Sequence, residues 1–529
     1  STIAEVPARR GTLLDRRGRV VAATRMAHRL FVDPLLIVER PTFSDRVAHE
    51  LGYDAVEIEK ALHRRPDSRF IVIDERLTDA KLAAVREADI PGLAVQPYLV
   101  RDYPQHDLAG QLLGFVGVDN EGLEGVERDL DETLDGEAGR FRVVRDARGR
   151  RMWFDPAEYV ANRDGPPVRL SIDLTIQSIA QRELAGAVEK FNAESGQMVV
   201  MDPWTGEILA MALYPTFDPG AFRDSKAELR RNRAVTDVFE PGSIFKPIVW
   251  AALTARGVAD PDERIDCTEA GYYVSPQGRV LRDARGHGVL TWDEVLVESS
   301  NIGMFLAAQR IDVEALHEIV RAFGFGRRTG SGLPGEQPGL VNPLRRWNHY
   351  SQSSVPMGQE IAVTALQMTR AFCTLATDGA MPTPTIRAVN EQAASYAVIR
   401  EKVLPVGVAE HTRRILRRVV VEGTGRKADS ELYTIFGKTG TAQLPDFENG
   451  GYHQDRYVSS FVGGAPTRTP RLVVGCFIRE PDKKIGHYGG IVAGPAVQRT
   501  LEQSLLYLEV PPTTDASDAA EAGLAHAQP

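Results

Sequence analysis

Three short clusters carry residue types that together can transfer an acyl group. In 240-EPGSIFKP-247, Ser243 follows a Pro-Gly turn and Lys246 stands three residues later. If this segment enters a helix, that spacing puts the amine on the same face as the hydroxyl and within its reach. A hydroxyl is a weak nucleophile until a base takes its proton, and a lysine can be that base when burial and a neighbouring cation lower its pKa. Alone, a serine in this position is equally well explained as a helix cap. In 298-ESSNIGM-304, Ser299 and Asn301 fit an SxN pattern on an expected turn between helices, offering a second hydroxyl for proton relay and an amide to hold a lysine and a substrate carbonyl. In 437-GKTGTAQ-443, Lys438, Thr439, Gly440 and Thr441 read as a strand, with Gly440 removing a side chain where something must approach the backbone. A cap or a glycine bulge would account for each cluster singly. Three such accidents, in this order and each in a suitable element, are improbable.

The set is chemically complete. Ser243 attacks a carbonyl, Lys246 accepts its proton, and Ser299 with Lys438 returns a proton to the leaving amine. The backbone amides of Ser243 and Thr441 are candidates for an oxyanion hole. Lys438, Thr439 and Thr441 would grip a substrate carboxylate, and an extended peptide could lie along the 438–441 strand as an added strand. This chemistry calls for no metal and no organic cofactor.

The elements that must position these residues follow from periodicity. A strand leads into an amphipathic helix within 169-RLSIDLTIQSIAQRELAGAVEKF-191, and 196-GQMVVMDPWTGEILAMALYP-215 reads as a hairpin. From about 243 to 425 the apolar positions mostly keep a helical period, as in 244-IFKPIVWAALTARG-257 and 360-EIAVTALQMTRAFCTLATDG-379. Strand candidates at 433–443, 456–465 and 471–478 and a helix near 494–508 close the series. The fold class is therefore α+β, an antiparallel sheet of about five strands with helices on both sides and a helical subdomain. Residues 1–165 read as a separate, extended mixed domain with short strands, bounded by the 164-DGPP stretch; 166–510 form the second domain, and 511–529 a disordered tail.

With 529 residues, 43% hydrophobic and 26% charged, the chain is ordinary globular material. A net charge of -9 and scattered basic residues argue against nucleic acid or an anionic membrane surface as the main partner, and the cluster Arg230, Arg231, Arg233 reads as a solvated face. Cys267, Cys373 and Cys476 lack metal-ligand spacing, and the latter two, in apolar runs, read as buried free thiols. No stretch of about 18 apolar residues spans a membrane, and the sequence starts at Ser1, so any signal or anchor is expected to have been removed or never to have existed.

From about residue 8 to 508 the sequence resembles class B penicillin-binding proteins, and most of all the division-type, septal peptidoglycan D,D-transpeptidases. SxxK, SxN and KTG together are the mark of that superfamily. In the front domain, 10-RGTLLDRRG-18 is similar to the pedestal signature RGxxxDRxG through Arg10, Gly11, Asp15, Arg16 and Gly18. The segments 101-RDYPQHDLAGQLLGFVG-117 and 122-GLEGVE-127 are similar to further pedestal motifs, and 171-SIDLTIQ-177, 231-RNRAVTDVFEPGS-243, 421-VEGTGRKA-428 and 488-YGGIVAGP-495 to the family's catalytic domain. Gln111 stands where the family usually has His, and Ile244 and Phe245 are bulkier than the usual spacer. The resemblance implies an elongated N-terminal pedestal or dimerisation-like domain before a transpeptidase domain, stem peptides ending in D-Ala-D-Ala and β-lactams as ligands, and a membrane glycan polymerase and division proteins as partners. It also implies a single-pass inner-membrane anchor, with this part on the periplasmic side. The rival readings are a D,D-carboxypeptidase or β-lactamase, which need a placed deacylating water, and a non-turnover β-lactam sensor or scaffold. Arg10, Asp15 and Glu127 are expected in interdomain ion pairs rather than in catalysis.

Overall fold

The computed structural model describes residues 2–65, 67–145, 151–154, 159–389, 398–446 and 448–515. In the front half, two long strands, β1 (Val20–Val32) and β2 (Leu93–Asp102), pair antiparallel from Ala23↔Asp102 to Val32↔Leu93. The sequence reading expected only short strands here. It missed the 13-residue β1 because Arg25, Met26, His28 and Arg29 are not fully buried and break the apolar run. Leu30 and Val32 at its end pack with Phe43, Val47, Ile58 and Leu82 in a small core of their own. Nearer the second half, Glu127 is fully buried between two arginines, Arg10 Nε at 2.8 Å and Arg101 Nε at 2.8 Å. Those pairs lie within the front segment, contrary to the expectation for Arg10 and Glu127.

Asp15 does span the two halves. Its carboxylate binds Arg19, whose guanidinium also reaches Asp173 Oδ1 at 2.7 Å, and it accepts from Leu174 N at 3.2 Å. Asp173 caps α1 (Leu174–Lys190), so this network fixes the start of the first helix of the second half. Gln111 docks the front segment a second time, donating to Pro215 O and Leu229 O at 2.9 Å each. An amide with two donors can hold two carbonyls at once, which a neutral histidine cannot.

The central sheet comprises β3 (Ser195–Met201), β4 (Ile208–Tyr214), β5 (Phe436–Pro445), β6 (Tyr452–Ala465) and β7 (Leu472–Arg479), in the order β4-β3-β7-β6-β5. All neighbours are antiparallel. Both faces are covered, so the strands read as nearly continuous apolar runs while their side chains still alternate. Along β7, Leu472, Val474, Cys476 and Ile478 join the core on one side with α1 and α7 (Gly494–Tyr507). Val473 and Phe477 face the other side with α2 (Lys246–Ala255) and α5 (Ala365–Ala376). Every residue of α5 is buried, including Gln367 and Arg370, whose side chains donate to backbone carbonyls of Arg327, Pro338 and Pro382.

The stretch expected to be helical also contains α3 (Trp292–Val297), α4 (Asn301–Ala308) and α6 (Val406–Val421), together with short two-stranded ribbons the sequence did not reveal. Arg264–Asp266 pairs Val289–Thr291, and Tyr272–Val274 pairs Val280–Arg282. Strands of three residues are too short for alternation to stand out. Cys267, Cys373 and Cys476 are unpaired and buried. Among the described residues no helix is long and apolar enough to cross a membrane. The expected disordered tail is corrected at its start: Thr513 N donates to Leu432 O at 2.9 Å and Asp515 pairs with Arg417 at 2.7 Å, while 516–529 lie outside the described residues.

Glu127→Gln would leave the buried Arg101 without its carboxylate partner and Arg10 with Asp131 alone. In urea unfolding followed by tryptophan fluorescence and circular dichroism, it should lose about 3 kcal/mol or more, whereas exposed Glu87→Gln should lose under about 0.5 kcal/mol.

Candidate active site

The nucleophile candidate sits where a tight turn becomes a helix. Gly242, at φ +58°, turns the chain as its N–H bonds Gly358 O at 3.0 Å, and Gly242–Phe245 forms a 3-10 turn running directly into α2. Pro247 in the first turn of α2 costs no hydrogen bond there. Ser243 is half-buried on this turn, and Lys246 is the first residue of α2.

Lys246 is fully buried, yet its amine is well supplied with acceptors. It donates to Ser299 O at 2.5 Å, Asn301 Oδ1 at 2.6 Å and Ser299 Oγ at 3.3 Å. Burial, which penalises the ammonium form, lowers its pKa to about 8, against a smaller opposing pull from Asp283. Among the described residues its hydrogen bonds go to the SxN turn and none to Ser243 Oγ. An amine one turn along from the hydroxyl needs only a side-chain rotation to meet it, and such contacts commonly tighten only with substrate bound.

The SxN turn lies between α3 and α4, as its sequence suggested. Ser299 takes φ +60°, a backbone conformation that costs a non-glycine residue about 1–3 kcal/mol and persists only where the surroundings hold it. Ser300 then caps α4 and Asn301 is the first residue of that helix. The residue holding this turn was not found from the sequence. Asp283, just after the Tyr272–Val274/Val280–Arg282 ribbon, accepts from Ser300 Oγ at 2.6 Å, Asn301 N at 2.5 Å and Ile302 N at 3.3 Å. Arg282 O accepts from Asn301 Nδ2 at 2.7 Å, which orients the amide oxygen toward Lys246. A lone Asp 16 residues before Ser299 carries no spacing signal.

Lys438 lies on β5 and is fully buried, its Nζ donating to Thr439 O at 3.3 Å. Burial and, after it, the nearby Lys246 ammonium hold its pKa well below the usual lysine range. The two amines therefore share one pocket. Gly440 follows on the same face of the strand; a Cβ there would lie 2.5 Å from Ser460 Oγ on the neighbouring β6, 3.0 Å from Ile244 Cγ2 and 3.2 Å from Pro241 O, so a side chain would crowd both the paired strand and the nucleophile turn. Thr439 and Thr441 alternate to the other face, where the Thr439 and Thr424 hydroxyls are 2.7 Å apart and Thr441 Oγ1 accepts from Gly489 N at 3.1 Å. The Thr441 proton remains free to donate. The structure thus gathers Ser243, Lys246, Ser299, Asn301, Lys438 and Gly440 around one cleft and sets the two threonine hydroxyls beside it.

Two family descriptions account for nearly the whole chain: "Penicillin binding protein transpeptidase domain" matches residues 196–502 and "Penicillin-binding Protein dimerisation domain" matches 5–169. The chain belongs to the penicillin-binding protein family. It is of the class B type, with a dimerisation domain before the transpeptidase domain. Among its relatives, the probable peptidoglycan D,D-transpeptidase PenA of Neisseria meningitidis is 33% identical over 97% of this chain and 87% of the relative. The peptidoglycan D,D-transpeptidase FtsI of Escherichia coli K12 is 31% identical over 93% of this chain and 82% of its own length. Among solved structures, penicillin-binding protein 3 of Mycobacterium tuberculosis, complexed with aztreonam, superposes with a TM-score of 0.73 at 28% identity, over 97% of this chain and 98% of that one.

Gly440→Ala should crowd Ser460 on β6 and the nucleophile turn together, shifting β5 relative to that turn. Labelling of this penicillin-binding protein by a fluorescent penicillin should slow by about tenfold or more, with a stability loss of about 1–3 kcal/mol in thermal melts.

Proposed function

We propose that this penicillin-binding protein is a peptidoglycan D,D-transpeptidase that cross-links stem peptides through an acyl-enzyme on Ser243, in septal wall synthesis. The observation that carries the reading is the fully buried Lys246 amine, lowered to about 8 and one turn from Ser243, beside a second buried amine.

In the first half-reaction, neutral Lys246 takes the Ser243 proton as Oγ attacks the carbonyl between the two terminal D-alanines. The oxyanion is met by the backbone amides of Ser243, in a turn too short to satisfy its own first N–H groups, and of Thr441. The tetrahedral intermediate collapses, the peptide C–N bond breaks, and the leaving D-alanine amine takes a proton from the Lys246–Ser299–Lys438 set. Free D-alanine departs, leaving an ester on Ser243. In the second half-reaction the amine of a neighbouring stem peptide attacks that ester and gives up a proton to the same set; the C–Oγ bond breaks, the set returns a proton to Ser243 Oγ, and a new amide bond is left. Thr439 and Thr441, at the strand's other face, are assigned to the terminal carboxylate with Lys438, and Asn301 to the substrate carbonyl side as well as to Lys246. β-Lactams, as acyl donors with a strained amide, enter at the first step.

Residues 1–165 serve as the pedestal that carries the transpeptidase domain, 166–510. The same reading places the protein at the inner membrane, held by a single-pass anchor and working on the periplasmic side with a glycan polymerase and other division proteins; the name peptidoglycan D,D-transpeptidase, carried by its relatives, supports the substrate class. No cofactor takes part.

Intact-mass spectrometry should find one penicillin adduct on the wild-type chain and none on Ser243→Ala. The acylation rate should rise with pH through a midpoint near 8 and level off above it, because only the neutral Lys246 amine accepts the proton; a rate flat across that range rules out the base assignment. D-alanine release from a pentapeptide that depends on an added amine acceptor marks a transferase, release without one a hydrolase, and adduct without release a sensor.

A further inference from the structure

Lys246 owes its fixed position to groups that are themselves fixed from elsewhere. Its two shortest acceptors are a backbone carbonyl and a side-chain amide of one turn, Ser299 O and Asn301 Oδ1. That turn is unfavourable in isolation, since Ser299 sits at φ +60°. Backbone bonds from Ser299 N to Leu296 O and from Ser300 N to Val295 O tie it to α3, and one carboxylate ties it to α4. Asp283 Oδ2 accepts from Ser300 Oγ, and Oδ1 accepts from the N–H groups of Asn301 and Ile302 at the start of α4. Its neighbour Arg282 fixes the Asn301 amide through the backbone carbonyl, so the oxygen rather than the nitrogen faces the amine. The carboxylate arrives from the end of a ribbon of two three-residue strands, an element separate from the helices and the sheet that carry the other site residues.

We propose that Asp283 is a positioning residue for the acylation chemistry, holding the SxN turn in the conformation that presents Ser299 O and Asn301 Oδ1 to the catalytic amine. It does not touch substrate; it acts through Ser300, Asn301 and the helix start. The inference rests on the acyl-transfer reading of Lys246.

Two consequences differ from those of a merely structural contact. Geometrically, loosening the turn frees Lys246 from the acceptors that hold it near Ser243, which slows acylation at every pH. Electrostatically, the charged groups facing Lys246 are Lys438 from β5 and Asp283 from the ribbon, and of these Asp283 alone favours the ammonium form. Removing that charge lowers the Lys246 pKa further and moves the midpoint of the acylation profile to lower pH. The sign is opposite to that expected if Asp283 simply supported the fold.

The test is the pH profile of second-order acylation by a chromogenic β-lactam, on the whole chain, for wild type, Asp283→Asn and Asp283→Glu, with melting temperatures alongside. Asp283→Asn should shift the midpoint to lower pH and reduce the plateau rate by about tenfold, in line with losing part of a general base's contribution. Asp283→Glu, which keeps the charge and displaces it by one methylene, should reduce the plateau while leaving the midpoint near the wild-type value. A folded Asp283→Asn protein with wild-type rate and midpoint overturns the proposal. So does failure of both variants to fold, which would make Asp283 a folding element instead. Should the wild type itself form no Ser243 adduct, it is the acyl-transfer reading that falls, and the two failures are thereby told apart.

Discussion

Two amines lie in one dry pocket, and neither has a carboxylate in contact. Lys246 and Lys438 are both fully buried, and their hydrogen bonds go to carbonyl and amide oxygens and a hydroxyl. Bringing a lysine into such a place disfavours its charged form, and a like charge beside it adds to the penalty. A fold selected for stability alone would put apolar side chains there, since replacing buried charged groups with well-packed hydrophobic ones is often neutral or better. The surrounding architecture is what tolerates this arrangement: α2 fixes one amine, β5 the other, and the SxN turn supplies neutral acceptors that hold Lys246 without restoring its usual basicity. A carboxylate placed in direct contact would stabilise the ammonium and remove the base.

The remaining structure supplies rigidity at a distance. The sheet is buried on both faces, so its register is strongly specified; a one-residue slip of β5 would send Lys438 to the outer face and Thr439 toward the nucleophile. On the opposite side, the helical core packs Trp250 against Trp292, ring centroids 5.6 Å apart, linking α2 to α3 and thus the Ser243–Lys246 turn to the SxN turn. The front domain is fastened to this body where chain direction matters, at the start of α1 through Asp15, Arg19 and Asp173 and at the end of β4 through Gln111 and Pro215. These contacts engage both ends of the α1–hairpin unit and leave the catalytic cleft untouched.

What could be read from the sequence follows from the range of the interactions involved. The Ser243–Lys246 spacing, the SxN turn and the Lys438–Gly440 strand are local patterns, since each places its groups by the geometry of a single element. Strands flanked by apolar runs, such as β3, β6 and β7, were legible for the same reason, as were α1 and α7. Asp283 was not legible, because it reaches the site across the fold and no periodicity announces a residue that acts on another element's end, whereas Thr424 was reached only as part of the 421–428 segment, through resemblance. Likewise, β1 was hidden by polar positions on its exposed face, and the three-residue ribbons by their brevity. Arg10 and Glu127 were recognised as paired, but with the wrong scope, since composition cannot tell an ion pair inside a domain from one between domains. The first residues of the tail read as disordered because Pro511 to Asp515 lack any period, yet Arg417 has a carboxylate to gain there.

The placement of β5 at the end of the sheet order adds a last constraint. An outer strand exposes a row of unpaired N–H and C=O groups, which proteins usually blunt because such an edge invites another chain. Here the strand is flanked by the nucleophile turn at Gly440 and stopped by Pro445, while Tyr452, at the start of β6, is tied by its hydroxyl to Glu240 at 2.8 Å. The strand itself runs ten residues, Phe436–Pro445, and is buried from Phe436 to Gly440. A peptide lying there gains main-chain hydrogen bonds that do not depend on its side chains, which suits an acyl donor recognised by its termini.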